Sequence, residues 1–252
     1  MKQRVFEQLL VLLLLGCVWQ GIALWLQDPL LPSPWQVGQL MQIEAQSGAL
    51  GYHLWATLQR VFISFTAAMC LGVLLGVFMG ALRPVNRVLD PVLVLMLNLP
   101  ALVLIILLYV WLGLVEAAAL LAVVLNKIPN VAVNMREGAR SLDPKLAEMA
   151  QVYGFSFKQK VWDLWLPQLF PYLMASMRGG LALIWKIVLV VELLGRSNGV
   201  GFQLHVAFQM FDVAMILAYS FAFIAVVQLI EWLGLQPLEQ RARRWQEVKR
   251  HA

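Results

Sequence analysis

The sequence has few charged residues and almost no cysteine or histidine. Asp, Glu, Lys and Arg make up 13% of its 252 residues, whereas 61% are hydrophobic. Soluble domains carry about 25% charged residues, so this balance excludes an ordinary soluble domain and predicts a polytopic membrane protein. At about 20 apolar residues for each membrane crossing, the chain has room for about five to seven helices.

The residues that would carry redox, metal or catalytic chemistry are also missing. Cys17 and Cys70 both lie inside apolar segments, so we expect no disulfide. His53, His205 and His251 are far apart, and no His/Cys set has metal-ligand spacing. The sequence contains neither the nucleotide-binding pattern G-x-x-x-x-G-K-[ST] nor a Ser-His-Asp arrangement. It therefore predicts a chain that is not an enzyme and carries no metal or cofactor of its own.

Six apolar segments predict an all-α protein with six transmembrane helices. They cover approximately residues 8–26, 55–82, 90–113, 116–134, 171–194 and 212–235. The first is interpreted as an uncleaved span, because its apolar run continues past Leu14-Leu15-Gly16-Cys17, which faintly resembles a lipoprotein processing site. No soluble domain and no internal repeat is visible in the sequence. Residues 1–252 are therefore predicted to form one membrane domain, with a core at about 55–235.

Lys and Arg are unevenly distributed between the connections, and this predicts an orientation. With both termini in the cytoplasm, fourteen of the nineteen Lys and Arg residues flank cytoplasmic ends of spans. Residues 27–53 contain neither Lys nor Arg and are predicted to be external. The loop at 141–167 and the basic tail at 236–252 are then cytoplasmic. The net charge of +5 reflects this bias, so nucleic acid is not predicted as a partner.

The longest polar interruption, at 141–167, is predicted to form two short helices. Asp143 is suited to cap the first helix, and Gly154 to end it in the left-handed conformation. Ser156 and Gln159 form the pattern of a capping box for the second helix, which Pro167 is predicted to stop. The apolar faces of the two helices consist of Leu146, Met149, Ala150 and Tyr153, and of Phe157, Val161, Leu164 and Trp165. One interpretation is an amphipathic hairpin that lies on lipid.

The same loop resembles the EAA motif of ABC-importer permeases. That family carries E-A-A, three residues, G, nine residues, I, one residue and L-P. Here the same spacing is filled by Glu148, Met149, Ala150, Gly154, Leu164, Leu166 and Pro167. Met149 stands in place of an alanine and Leu164 in place of an isoleucine. The resemblance implies that this loop is a coupling helix, which docks on a cytoplasmic ATPase subunit.

Further segments are similar to the nitrate/sulfonate/taurine branch of these permeases: LPSPWQV at 31–37, RVFISFTAAMCLGVLLG at 60–76, LDP at 89–91 and VELLGRSNGVG at 191–201. The resemblance implies a type I ABC-importer permease fold in the bacterial inner membrane. It also implies a second permease chain (favoured as an identical copy), two ATPase subunits that hold ATP and Mg²⁺, and an external solute-binding protein. Gly195, Gly199 and Gly201 would then lie at the outer gate or contact the binding protein.

Polar residues inside the predicted spans are candidates for a translocation path. They are Asn98, Asn126, Lys127, Asn130, Asn134, Lys186 and Glu192. Three of the asparagines recur every four residues from position 126 and form one stripe on a helix, where polar side chains should face the bundle interior or a wet cavity. The structural alternatives are hydrogen bonds between helices for the asparagines and a lysine–carboxylate pair between spans for the lysines.

The lysines inside the spans also indicate the charge of the solute. Lys127 and Lys186 favour an anion such as a sulfonate, nitrate or organic acid, because an unpaired lysine in the membrane is costly. Glu192 or Glu116 could instead neutralise a lysine, and a heterocyclic vitamin precursor would then fit equally well. A secondary transporter without an ATPase is a further alternative, although the internal repeats common in that class are not visible. The predicted function is a permease subunit of an ATP-driven importer.

Single-cysteine labelling tests the orientation. In a variant without Cys17 and Cys70, cysteines introduced at Ser47 and Ser197 should react with an impermeant thiol reagent added to intact spheroplasts. A cysteine introduced at Ser156 should react only after permeabilisation, because the charge bias assigns that loop to the cytoplasm. External labelling at position 156 would contradict the orientation.

Overall fold

The computed structural model describes residues 2–235; residue 1 and the predicted basic tail at 236–252 lie outside the described residues. All regular secondary structure within residues 2–235 is helical, which confirms the all-α prediction. The helices are α1 (Lys2–Leu26), α2 (Pro34–Gln46), α3 (Ala49–Ala81), α4 (Arg83–Asn98), α5 (Ala101–Leu112), α6 (Glu116–Arg140), α7 (Pro144–Val152), α8 (Phe157–Gln159), α9 (Leu166–Gly195), α10 (Val200–Gln209) and α11 (Val213–Ile230). Two π-helical segments, Lys160–Trp165 and Glu231–Leu235, precede α9 and follow α11.

The long helices follow the order of the predicted spans. Within residues 2–235, three are long and apolar enough to cross a membrane by themselves, namely Ala49–Ala81, Glu116–Arg140 and Val213–Gly234. The pair α4 and α5 supplies a fourth if the two helices count as one bent span. The other two predicted spans correspond to α1, whose apolar part is Leu13–Leu26, and to the 30-residue helix α9. The chain is thus a multi-pass membrane protein.

The third predicted span is not one straight helix. Helix α4 begins earlier than predicted, at Arg83, and a break at Leu99 and Pro100 separates it from α5 at an angle of 99°. Leu99 is extended, with φ −75° and ψ 121°, because the ring of Pro100 disfavours a helical conformation in the residue before it. Asn98 lies at this break and donates its side-chain amide to the carbonyl of Val94 (2.7 Å).

The prediction that Pro167 stops the second loop helix is wrong. The chain remains helical from residue 157 to residue 195, and Pro167 is the second residue of α9. The π-helical segment Lys160–Trp165 comes directly before it, and the N–H of Leu166 donates to the carbonyl of Val161, five residues back. A proline lacks the N–H and crowds the carbonyl four residues earlier, and the wider π turn offers a way to keep the helix continuous at that point.

The structure also contains a helix that the sequence analysis did not predict, α2 in the 27–53 connection. Ser33 is extended, because Pro34 disfavours a helical conformation in the residue before it, and it caps α2. Its Oγ accepts from the N–H of Gln36 (3.3 Å), whose side-chain oxygen accepts from the N–H of Ser33 (2.8 Å). This capping box is the sequence signal that marks the beginning of α2.

Residues 2–235 form two compact units, whose boundaries fall within α3, α9 and α11. The first unit consists of residues 2–57 and 192–228, and the second of residues 58–191 and 229–235. In the first unit, Trp19 donates its indole N–H to the carbonyl of Pro32 (3.1 Å), and its ring lies 5.9 Å from that of Phe221. Tyr219 donates its hydroxyl to the carboxylate of Glu44 (2.8 Å). These contacts join α1, α2 and α11 within the first unit.

In the second unit, α3 and α6 pack closely along three glycines. Gly72, Gly76 and Gly80 recur every four residues on α3, and a Cβ at any of them would collide with α6. At Gly76 the Cβ would meet the carbonyl of Ala132 and lie 2.7 Å from the Cβ of Met135. Small residues at this spacing allow the backbones of membrane helices to approach closely.

The variant Gly76→Ala tests this packing. The added methyl group has to displace α6, at a cost on the order of 1–3 kcal/mol, so we expect a lower melting temperature for the purified protein in nanodiscs. Gly51→Ala on the same helix is the matched control, since a Cβ there meets nothing within 4 Å. Equal melting temperatures for the two variants would contradict the packing role of Gly76.

Candidate functional site

The loop at 141–167 forms a hairpin, and its first arm, α7, begins and ends as predicted. Asp143 caps α7, its Oδ1 accepting from a first-turn N–H at 2.8 Å. Gly154 follows the helix with φ +63°. The N–H groups of Gly154 and Phe155 donate to the carbonyls of Gln151 (3.1 Å) and Ala150 (2.8 Å). This is a Schellman motif, in which a residue with a Cβ at the glycine position would be strained.

The second arm begins with the predicted capping box. The N–H of Ser156 donates to Oε1 of Gln159 (2.8 Å), and the N–H of Gln159 donates to Oγ of Ser156 (3.4 Å). Helix α8 then continues into the π-helical segment. The ring of Phe157 at the start of this arm meets that of Trp165 edge-on, with 6.0 Å between centroids.

Gln168 closes the base of the hairpin, although the sequence analysis did not single it out. Its Oε1 accepts from the backbone N–H of Asp143 (2.9 Å), and its Nε2 donates to the carbonyl of Leu164 (3.0 Å). These two bonds tie the start of α7 to the π-helical segment. A glutamine whose partner lies 25 residues away leaves no local pattern in the sequence.

The EAA positions divide into an inner and an outer set. Ala150 is fully buried and Leu164 is 6% exposed, and α7 packs against the π-helical segment. By contrast, Glu148 and Met149 are exposed on α7, and Leu166 and Pro167 are exposed at the start of α9. The inner pair belongs to the interior of the hairpin, whereas the outer residues are accessible to a partner.

Four large apolar side chains of the hairpin are at least 60% exposed: Val152 (84%), Tyr153 (75%), Phe157 (74%) and Trp162 (60%). They are called the hairpin patch below. Tyr153 and Phe157 belong to the apolar faces predicted for the loop helices, so only part of each face is buried inside the hairpin. An exposed apolar cluster of this kind marks a surface that a partner or lipid covers.

The asparagine stripe lies on α6. Asn126 and Asn130 are partly buried, and Asn134 is exposed. None of the three side-chain amides forms a hydrogen bond to another residue in the described part of the chain. The alternative of helix–helix hydrogen bonds is therefore not realised among residues 2–235.

The two lysines inside the spans have different surroundings. Lys127 is 4% exposed and lies beside Gly180 of α9, where a Cβ would be 3.0 Å from Cε of the lysine. Lys186, also on α9, is exposed, as are Leu183 and Val190 on the same helix. Since a lysine within a membrane-crossing helix is costly against lipid, Lys186 requires water or a polar partner.

Glu192 does not have the surroundings expected of a residue on a path. Its side chain is fully buried in the first unit. Oε2 of Glu192 accepts from the hydroxyl of Thr57 (2.8 Å) and from the N–H of Gly201 (2.9 Å). This environment favours a structural role, although not through the lysine–carboxylate pair that was the alternative in the sequence analysis.

The glycine-rich connection between α9 and α10 is held by side chains that sequence reasoning missed. Gly195 is the last residue of α9, and Gly201 lies in the first turn of α10. Gly199 has φ +108°, and its N–H donates to Nδ1 of His53 (3.1 Å). His53 and Thr57 are one turn apart on α3, far from this connection in the sequence, so only the fold brings them together.

An ion pair between a buried arginine and an exposed glutamate links α3 to α6 in the second unit, and it was also missed. Arg60 is 5% exposed. Its Nε and Nη2 donate to Oε1 and Oε2 of Glu116 at 2.7 and 3.0 Å. This fork geometry is that of a strong charge-assisted pair. Glu116, which could have neutralised a lysine, is therefore engaged by an arginine.

Among residues 2–235, no group of three or more His, Cys, Asp or Glu side chains is arranged to hold a metal ion. Of the predicted residues, the fold brings the seven EAA positions together in one hairpin. Of the path candidates, Asn98 lies at the bend between α4 and α5, Asn126, Lys127, Asn130 and Asn134 lie on α6, and Lys186 and Glu192 lie on α9.

Comparison with known proteins gives consistent matches. The family model described as binding-protein-dependent transport system inner membrane component matches residues 68–234. The taurine transport system permease protein TauC of Escherichia coli (strain K12) is 31% identical over 238 residues, which cover 92% of this chain and 86% of that protein. The putative aliphatic sulfonates transport permease protein SsuC of Bacillus subtilis (strain 168) is 28% identical over 215 residues, 85% of this chain and 78% of that protein.

A solved structure agrees with these matches. A chain of the MetNI methionine ABC transporter, in an inward-facing conformation, superposes with a TM-score of 0.65 at 16% identity, covering 80% of this chain and 98% of that chain. The type I ABC-importer permease fold and the resemblance to the sulfonate and taurine branch are thus confirmed. The relatives are permease subunits rather than enzymes, in agreement with the prediction. The chain belongs to the family of inner-membrane components of binding-protein-dependent transport systems, and it is the permease subunit of an ABC importer.

Proposed function

We propose that this chain pairs with an identical copy to line a path for a small anion, and that its 141–167 hairpin docks on a cytoplasmic ATPase. In this arrangement both termini are cytoplasmic, and two ATPase subunits hold ATP and Mg²⁺. A solute-binding protein delivers the solute from outside. The observation that carries the proposal is a closed hairpin with an exposed apolar patch, on the side where positive charge accumulates in the sequence.

The construction of the hairpin supports docking on a protein rather than on lipid. The Schellman motif at Gly154, the capping box at Ser156 and the Gln168 bonds fix the relation between its two arms. A hairpin that lay on the bilayer surface would need an apolar face but no defined angle between its arms. A groove on a partner protein requires both an apolar face and a defined angle between the arms. The hairpin patch would supply the buried area, and exposed Glu148 would lie at its edge as a polar contact.

The exposed polar residues of α6 and α9 support a path shared with a second copy. Asn134 and Lys186 are open to the surface of a single chain, although both lie in helices of the membrane region. Polar groups in such places face a bundle interior or a water-filled cavity. In a symmetric pair, one Lys186 from each copy would bring two positive charges to the same path. An anion passing between them would reduce their repulsion.

An anion is favoured over an uncharged solute, because the two carboxylates that could have neutralised a lysine are engaged by other groups. Glu116 and Glu192 were the groups that could have neutralised a lysine, but Glu116 is engaged by Arg60, and Glu192 by Thr57 and Gly201. The relatives named for taurine and aliphatic sulfonates point to a sulfonate as the first solute to test. Lys186 is the better candidate for contact with the solute, because Lys127 is buried within the second unit.

Substitution of Gly154 tests the coupling role of the hairpin. Gly154→Val places a β-branched residue at φ +63°, which costs about 1–2 kcal/mol or more locally, and so misdirects the second arm. We expect the complex with its ATPase to lose hydrolysis stimulated by the binding protein while the permease still inserts. Gly154→Asn is the matched control, because asparagine tolerates the left-handed conformation.

Glu148→Ala should weaken assembly less than Gly154→Val, since one exposed charge contributes about 0–1 kcal/mol. The measurement is ATP hydrolysis and solute uptake by purified complexes in proteoliposomes. Normal uptake by the Gly154→Val variant would refute the coupling role of this loop.

Substitution of the lysines tests the proposal that the solute is an anion. Lys186→Met should lower uptake of an aliphatic sulfonate by about tenfold or more, equivalent to about 1.4 kcal/mol, while basal ATP hydrolysis and assembly persist. Lys186→Arg retains the charge and should retain most of the uptake. Lys127→Met, at the buried site, should affect uptake less. If Lys186→Met and Lys127→Met both transport the sulfonate normally, the lysines are structural and the charge argument for an anion fails.

A further inference from the structure

The buried carboxylate of Glu192 occupies an unusual position for a charge in a membrane protein. It lies near the end of α9, fully buried, and one of its oxygens, Oε2, accepts from both Thr57 and Gly201. A buried charge is retained only where other groups compensate for the loss of water. The groups that compensate here come from α3 and from the first turn of α10, so the carboxylate joins three helices of the first unit.

The carboxylate of Glu192 supplies an acceptor that the beginning of α10 needs. The first N–H groups of a helix have no partner within it, and usually a side chain of the residue before the helix accepts from one of them. At α10 that residue is Gly199, which has no side chain. The N–H of Val200 instead donates to Oγ1 of Thr57 (2.8 Å), and that of Gly201 donates to Glu192. The cap of α10 is therefore supplied by α3 and α9.

Gly199 makes this arrangement possible. A Cβ at that position would collide with the carboxylate of Glu192, and φ +108° excludes most other residues. Its own N–H donates to Nδ1 of His53 (3.1 Å). Each of the first three amide groups from Gly199 to Gly201 thus has an acceptor outside α10.

We propose that Glu192, together with Thr57, is a positioning residue that fixes the direction in which α10 leaves α9. The geometry leaves α10 no local cap, so the N–H groups of Val200 and Gly201 in its first turn depend on one hydroxyl and one carboxylate. This inference rests on the proposed function, in which α10 and the connection before it lie on the external face and receive the solute-binding protein. Glu192 then acts through α10 on the contact with that protein and does not touch the solute.

Two nearly isosteric substitutions and one conservative control test the proposal. Thr57→Val keeps the shape of the side chain but removes the acceptor for Val200 and the donor to Glu192. Glu192→Gln keeps an oxygen for the same two donors but removes the charge. Thr57→Ser retains the hydroxyl and is the control. In reconstituted complexes, we expect Thr57→Val and Glu192→Gln to raise the concentration of sulfonate-loaded binding protein needed for half-maximal ATP hydrolysis by about fivefold or more. Basal hydrolysis should be unchanged, and Thr57→Ser should match the wild type.

Hydrogen exchange by mass spectrometry of the permease in nanodiscs gives a readout that does not depend on any partner. Amides of residues 199–203 should exchange faster in Thr57→Val and Glu192→Gln than in the wild type and in Thr57→Ser. Unchanged exchange in both variants would overturn the positioning role, and so would an equal loss of basal and stimulated hydrolysis, which indicates general destabilisation. If the wild-type complex shows no stimulation by its binding protein while exchange responds as expected, the proposed function fails and the cap of α10 stands.

Discussion

The structure depends on one constraint: inside a bilayer, backbone N–H and C=O groups have no water to bond, so the chain has to satisfy them itself. A helix does this at every residue except its ends and its prolines. Two departures from regular helix in the described residues occur at prolines. Pro100 separates α4 from α5 with a bend of 99°, whereas a π-helical segment precedes Pro167 and the chain passes it without a break. Pro91, Pro129 and Pro171 lie inside helices, so the same residue type gives a corner in one place and a continuous helix in others.

The same low-dielectric surroundings decide where charges lie. Arg60 is paired with Glu116, Arg136 with Asp90, and Glu192 accepts from a hydroxyl and a backbone amide. Each of these groups is held where its charge is compensated by a defined partner. Lys186 differs, because it is exposed on α9 and no charge partner for it lies among residues 2–235. Buried Lys127 also has no carboxylate partner among these residues, so it is the exposure of Lys186 that makes this lysine the better indication of a wet path.

Local patterns were predicted well from the sequence, and long-range contacts were not. Asp143, Gly154 and the Ser156–Gln159 pair define helix ends through bonds within about five residues, so their residue types alone were sufficient. The bonds of Gln168 to Asp143 and of Glu192 to Thr57 join residues far apart in the sequence, so no spacing rule predicts them. The error at Pro167 has a different origin: the rule that proline ends a helix is local, and the π-helical segment that overrides it has no simple residue pattern.

That error changes how the hairpin would act on the membrane region. A helix that ended at Pro167 would leave a flexible joint between the loop and α9, and a displacement of the loop would be absorbed there. In the structure the second arm, the π-helical segment and α9 follow one another without a break, with Pro171 inside α9. Gln168 also ties the first arm to this continuous helix. The 20 steps from Leu166 to Lys186 correspond to about 30 Å of helix at about 1.5 Å for each residue. We expect a movement imposed on the proposed docking surface to reach Lys186 along its own helix, because no joint separates the two at Pro167.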